Sequence, residues 1–179
     1  FPWTRVSNPK IGSPDIDEAE CLSLEEVRVA LENNNVAAII LETIQGEGGD
    51  NHFRPQYFAG LRRLADENEA MLILDEVQTG VGLTGKMWAY EHMGIVPDMI
   101  SFGKKTQVCG FASTERIDTV PDNVFKVSSR INSTFGGNLL DMVRFTKIIK
   151  IIQEDSLIGN AAVVGEYFLS KLKELPVRN

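Results

Sequence analysis

Two short apolar runs, each stopping at charged residues, constrain this chain more than any other feature. Met71-Leu72-Ile73-Leu74 ends at Asp75-Glu76-Val77-Gln78, and Met99-Ile100-Ser101-Phe102, introduced by Pro97-Asp98, ends at Gly103-Lys104. Continuous apolar runs of this length, bounded by turn residues, read as strands covered on both faces, the kind that parallel sheets use. In such sheets ligands bind in the crevice outside the carboxyl ends of the strands, so an acid and a lysine delivered there face one small molecule. Asp75 and Lys104 are the centre of this reading.

The flanking chain supports a strand–helix–strand alternation. Pro2, Pro9 and Pro14 among Ser, Asn and Gly mark a leading loop. Ser23 precedes Glu26 as in a capping box, and Leu24, Val27, Ala30 and Leu31 share one face of the helix it would start, which the run Asn33-Asn34-Asn35 would end. Val36 to Leu41 is a β-branched run leading into Glu42-Thr43-Ile44-Gln45-Gly46-Glu47-Gly48-Gly49-Asp50, a strand followed by a glycine-rich loop. Pro55 opens a second helix, with Tyr57, Leu61, Leu64 and Ala65 at helical spacing up to Asn68. A strand–helix–strand order implies a crossover and a parallel sheet. Beyond it the pattern predicts a short helix over Trp88–Met93, strands near Val108–Ala112 and Val124–Val127, a helix opened by Gly136-Gly137-Asn138, and a last amphipathic helix from about Asn160 to Leu175. The fold class is α/β, a mostly parallel sheet with helices on both faces.

The totals exclude some partners. A net charge of −7 without a Lys/Arg stripe argues against nucleic acid. No apolar run approaches the roughly 18–20 residues of a membrane span. Cys21 and Cys109 have no metal-ligand spacing and are too few for a disulfide framework, so a reducing cytoplasm is expected, with Cys109 a small buried hydrophobe. His52 and His92 are isolated and read as surface or packing residues, and Trp88 and Tyr90 as core. An opening at Phe1 and an end at Asn179 read as an excerpt of a longer chain.

A partly desolvated lysine is a nucleophile toward carbonyl carbon, as a Schiff base requires. Pyridoxal phosphate carries such a carbonyl, and its ring nitrogen needs a carboxylate, which Asp75 supplies. A rival reading takes Gly80-Val81-Gly82-Leu83-Thr84-Gly85-Lys86-Met87 as a near P-loop. Met87 offers no hydroxyl to magnesium, and the acidic strand comes before the loop rather than after it. A third reading treats the piece as a structural module.

The long pattern Asp75-Glu76-Val77-x-x-Gly80 followed by Pro97-Asp98-Met99-Ile100-Ser101-Phe102-Gly103-Lys104 resembles the signature of class III, fold type I, pyridoxal-phosphate-dependent aminotransferases. Ile44 to Asp50, Gly103 to Gly110 and Asn132-Ser133-Thr134-Phe135-Gly136-Gly137-Asn138 look most like the L-lysine 6-aminotransferase branch. Where many class members have a glycine-rich turn after the lysine, Thr106-Gln107-Val108-Cys109 stands here, which suits that branch.

The resemblance implies that Lys104, rather than its rival Lys105, carries the cofactor as a Schiff base and shuttles the proton. It implies that Asp75 pairs with the ring nitrogen, Val77 packs on the ring, Gln78 bonds its phenolic oxygen, and Thr134 donates to the phosphate of a neighbouring subunit in a homodimer. Glu47 would gate a substrate-binding arginine beyond Asn179, and Asn132 would reach the substrate. The implied reaction moves the ε-amino group of L-lysine to 2-oxoglutarate; ornithine or 4-aminobutyrate are the alternative donors. Residues 1–155 would be part of the cofactor-binding large domain, and 156–179 a helix leading into a C-terminal small domain. The family's phosphate-cradling loop would precede Phe1, so the piece alone is expected to be inactive.

Overall fold

The structure, a computed structural model, describes residues 3–33, 35–131 and 134–176. Four strands form one sheet in sequence order: β1 (Ala38–Glu42), β2 (Met71–Asp75), β3 (Met99–Phe102) and β4 (Gly110–Ser113). The first three run parallel, and β4 returns antiparallel to β3. The helices are α1 (Ile16–Asn33), α2 (Pro55–Glu67), α3 (Leu139–Glu154) and α4 (Leu157–Lys173). This mixed, mostly parallel sheet flanked by helices is an α/β fold.

Strand register explains where the core lies. Ile39 pairs with Leu72, Leu41 with Leu74, and Leu74 with Ile100, so all five side chains leave the sheet on one side. There they meet Tyr57, Phe58, Leu61, Leu64 and Ala65 of α2 and Val27 and Leu31 of α1. The α2 residues recur at three- and four-residue intervals, which places them on one helical stripe. Pro55 sits in its first turn, where a missing N–H costs nothing. At the amino end of the strands, the buried carboxylate of Asp98 accepts from Leu72 N at 2.7 Å and from Arg62 at 2.9 Å, pinning β2 and β3 to α2.

Several expectations shift. Ser23 caps no helix: α1 begins earlier, Asp15 Oδ1 accepts from Glu18 N at 2.9 Å, and Ser23 lies mid-helix, buried. Its hydroxyl meets Ser7 O at 2.7 Å and Tyr57 Oη at 2.8 Å, a tertiary use that the local capping pattern conceals. Asn33 ends α1, whereas Asn34 lies outside the described residues. The segment 124–127 forms turns, with Phe125 N bonded to the Asn123 side chain instead of a neighbouring strand. The strand expected at 108–112 begins at Gly110. The strand expected to be covered on both faces is not: Ile40, on the side of β1 away from α2, is 52 % exposed. Cys109 is exposed as well, because the turn after Lys104 carries it outside the sheet. Trp88 and Tyr90 do pack against the core, the first at the N-cap of a short 3-10 turn over Ala89–His92 and the second within it. The last helix starts at Leu157. Among the described residues no helix is long and apolar enough to cross a membrane.

Phe58, fully buried between α2 and the sheet, carries the packing that holds this layer together. Phe58→Ala in the full-length protein should lower unfolding free energy by about 3–5 kcal/mol, read from the urea midpoint.

Candidate active site

The three parallel strands end side by side: register aligns the last residues of β1 and β2, Glu42 with Asp75, and sets Asp75 beside Ser101, one residue before the end of β3. Asp75 is held by two donors on one oxygen. Its Oδ1 accepts from Ser101 Oγ at 2.9 Å and from Val77 N at 3.0 Å. Its Oδ2 has no hydrogen-bond partner among the described residues. Asp75 lines a cavity of about 590 Å³ together with Ile40, Glu42, Gln45 and Arg5. One carboxylate oxygen is thus anchored and the other left to accept from something else.

Glu76, the next residue, is completely buried and organises the loops around Asp75. Its Oε1 accepts from Thr43 Oγ1 at 2.8 Å and Tyr90 N at 2.8 Å, and its Oε2 from Thr79 Oγ1 at 2.5 Å and Ala89 N at 3.0 Å. One side chain therefore joins the end of β1, the turn after β2 and the start of the 3-10 turn. Four donors satisfy the carboxylate that burial strips of water.

Close approach fixes the neighbouring groups. A Cβ on Gly46 would lie 3.1 Å from the Gln78 amide, so the absence of a side chain at residue 46 lets the loop after β1 come close to Gln78. A Cβ on Gly103 would lie 3.6 Å from Val77, which sets Val77 against the residue preceding Lys104. Lys104 opens a 3-10 turn with φ of 49°, a left-handed conformation uncommon outside glycine. It is exposed, and its Nζ has no partner among the described residues. Lys105 is different: its Nζ donates to Gln78 O at 2.7 Å and to Val77 O at 3.4 Å. Burial, and then the like charge of Lys104, lower the Lys105 pKa from the usual lysine value, with Glu76 opposing.

The structure thus brings Asp75, Val77, Gln78 and the Lys104 turn together at one edge of the sheet. Glu47 is exposed near the tip of a loop closed by reciprocal backbone bonds between Gln45 and Asn51, both 3.0 Å. Thr134 is exposed in the turn before α3 and makes no side-chain hydrogen bond to the other site residues among those described. Asn132 lies outside the described residues. The P-loop reading fails on geometry: residues 80–87 form turns that lead into a four-residue 3-10 turn, where a phosphate loop must open an α-helix.

The aminotransferase class-III family description matches residues 5–179. The chain belongs to the class-III aminotransferases. Among relatives of this class-III chain, the L-lysine-epsilon aminotransferase of Mycobacterium tuberculosis is 48 % identical over 98 % of the chain and 40 % of the relative. That of Streptomyces clavuligerus is 46 % identical over 100 % of the chain and 41 % of the relative. The 4-aminobutyrate aminotransferase of Emericella nidulans is 40 % identical over 98 % and 36 %. The solved lysine aminotransferase of M. tuberculosis superposes with a TM-score of 0.90 at 47 % identity, over 97 % of this chain and 41 % of that one. The chain therefore spans about two fifths of the length of the lysine-specific relatives it matches.

Ser101, Glu76 and Lys105 shape this candidate site, although the sequence assigned none of them a part in it. Ser101 was reachable, since aligning the apolar runs in parallel places it beside Asp75. Glu76 gave no such signal, because its partners come from three separate loops. Glu76→Gln would point an amide NH₂ at donors, leaving each opposed donor unsatisfied at roughly 1–3 kcal/mol. The full-length variant should unfold at a lower urea concentration, and cleavage of the 77–90 segment in limited proteolysis should speed up.

Proposed function

We propose that the protein is a pyridoxal-phosphate-dependent transaminase that moves the ε-amino group of L-lysine to 2-oxoglutarate, giving glutamate and 2-aminoadipate 6-semialdehyde. The observation that carries it is an Asp75 carboxylate, anchored through one oxygen, at the end of β2, with a Lys104 amine that has no partner among the described residues just past the end of the adjacent parallel strand. The donor set suits the group. An acidic oxygen without a protein partner fits a protonated ring nitrogen, and a lysine free of hydrogen bonds fits an aldehyde. Pyridoxal phosphate, when bound, supplies a carbonyl that takes up an amine and a ring that draws electrons from the breaking bond.

In this reading Asp75 holds the proton on the ring nitrogen, and Ser101 and Val77 N keep that carboxylate fixed while charge develops. Lys104 Nζ carries the cofactor and, when released, moves the proton at the substrate carbon. Lys105 is a poor rival, because its ammonium is already bonded to two carbonyls. Val77 would pack against the ring, the Gln78 amide would bond its phenolic oxygen, and Thr134 would donate to the phosphate across a homodimer interface. Glu47, on a braced loop, gates the substrate carboxylate site, and Asn132 reaches the substrate. Solved structures of the M. tuberculosis enzyme include substitutions at a glutamate, an asparagine and a threonine spaced along that chain as Glu47, Asn132 and Thr134 are here. Lysine as donor rests on the higher identity to lysine-specific relatives; the 40 % match to a 4-aminobutyrate enzyme favours the second reading, another ω-amino donor.

The full-length protein with pyridoxal phosphate should show a visible absorbance band that borohydride fixes to Lys104. Lys104→Ala should lose the band and slow turnover by about 10²–10⁴-fold or more. In a donor panel, lysine should exceed ornithine and 4-aminobutyrate at least tenfold in kcat/KM. Equal rates would remove the lysine assignment, and absence of the band would remove the transaminase.

A further inference from the structure

Lys105 sits one residue from the lysine of the proposed site, yet its ammonium faces a different group. It donates to Gln78 O at 2.7 Å and Val77 O at 3.4 Å, the backbone carbonyls of the two residues whose side chains were placed on the cofactor ring above. Lys104 is exposed, whereas the half-buried Lys105 side chain turns toward the segment after β2. The Lys105 stem enters a second cavity, about 270 Å³, lined by Val81, Leu83, Ile152, Leu157 and Ile158. Those apolar walls leave the ammonium few partners besides the two carbonyls. The charged groups acting on it are Lys104 and Glu76.

We infer that Lys105 is a positioning residue that clasps the turn after β2 to the turn after β3, and so fixes Val77 and Gln78 relative to Lys104. A charged donor bound to carbonyls makes a stronger bond than a neutral one, and Lys105 is half-buried, which shields the bond from part of the solvent. Gly103 lies beside the same residue, since a Cβ there would be in ordinary van der Waals contact with Val77 at 3.6 Å. Lys105 lies 27 and 28 positions from the residues whose carbonyls it binds, so these bonds join two turns that are distant in sequence.

This inference rests on the transaminase reading for its kinetic consequence, but its structural part is measurable without cofactor. In the full-length protein, Lys105→Met should speed amide hydrogen exchange over residues 77–81 at least tenfold in the cofactor-free state, leaving α1 and α2 unchanged. With cofactor, it should lower kcat at least tenfold while KM for lysine and for 2-oxoglutarate stays within twofold. Lys105→Arg, which keeps the charge and the donors, should restore at least half of both effects. Should Lys105→Met fail to fold, Lys105→Gln is read by the same two measurements. Parental exchange in the uncharged variant, or an arginine variant as impaired as the methionine one, would overturn the clasp. If the unsubstituted protein binds no pyridoxal phosphate, the transaminase reading falls, and the exchange comparison alone upholds or overturns the clasp.

Discussion

The carboxylate of Glu76 is the constraint on which the rest of the site depends. A fully buried acid is costly unless it is surrounded by donors, and here four donors from three loops converge on it. Once that bond set forms, the backbone leaving β2 has little freedom, and the residues on either side of Glu76 are held with it. Asp75 faces the large cavity, whereas Val77 and Gln78 turn toward the Lys104 segment and the loop after β1. The role proposed for Asp75 thus depends on a neighbour that is fully buried and does not line the cavity.

Ser101 and Lys105 extend the same logic from β3. Ser101 settles which oxygen of Asp75 is engaged, and Lys105 grips the carbonyls two and three residues beyond Asp75. Glu76 ties this region to β1, and Lys105 ties it to β3. The sheet supplies alignment through its register, and these side chains carry that alignment past the last ladder hydrogen bond, where a parallel sheet by itself imposes none.

Much of this was legible in the residues, and what was not has physical reasons. Met71–Asp75 and Met99–Phe102 showed as strands because buried parallel strands are apolar on both sides, and the charges at their ends stood out against that background. The direction of β4 was hidden, since a short run such as Gly110–Ser113 carries no sign of whether it continues or reverses the sheet. Ser23 misled because a capping pattern is local, while its hydroxyl is claimed by Ser7 and Tyr57 from elsewhere in the chain. The partners of Glu76 are up to 33 positions away, and spacing rules do not reach that far.

The antiparallel return of β4 has its own consequence for Lys104. The residue lies in a link only seven residues long between two strands hydrogen-bonded to each other, and that link is stiffened by Gln107 N on Lys104 O at 2.9 Å and by Thr106 Oγ1 on Val108 O at 2.6 Å. Such a short tether leaves the main chain no room to recoil. In the proposed reaction, the travel of the amine between holding and releasing its load would come from rotation along its own four-carbon arm, with the anchor point standing still.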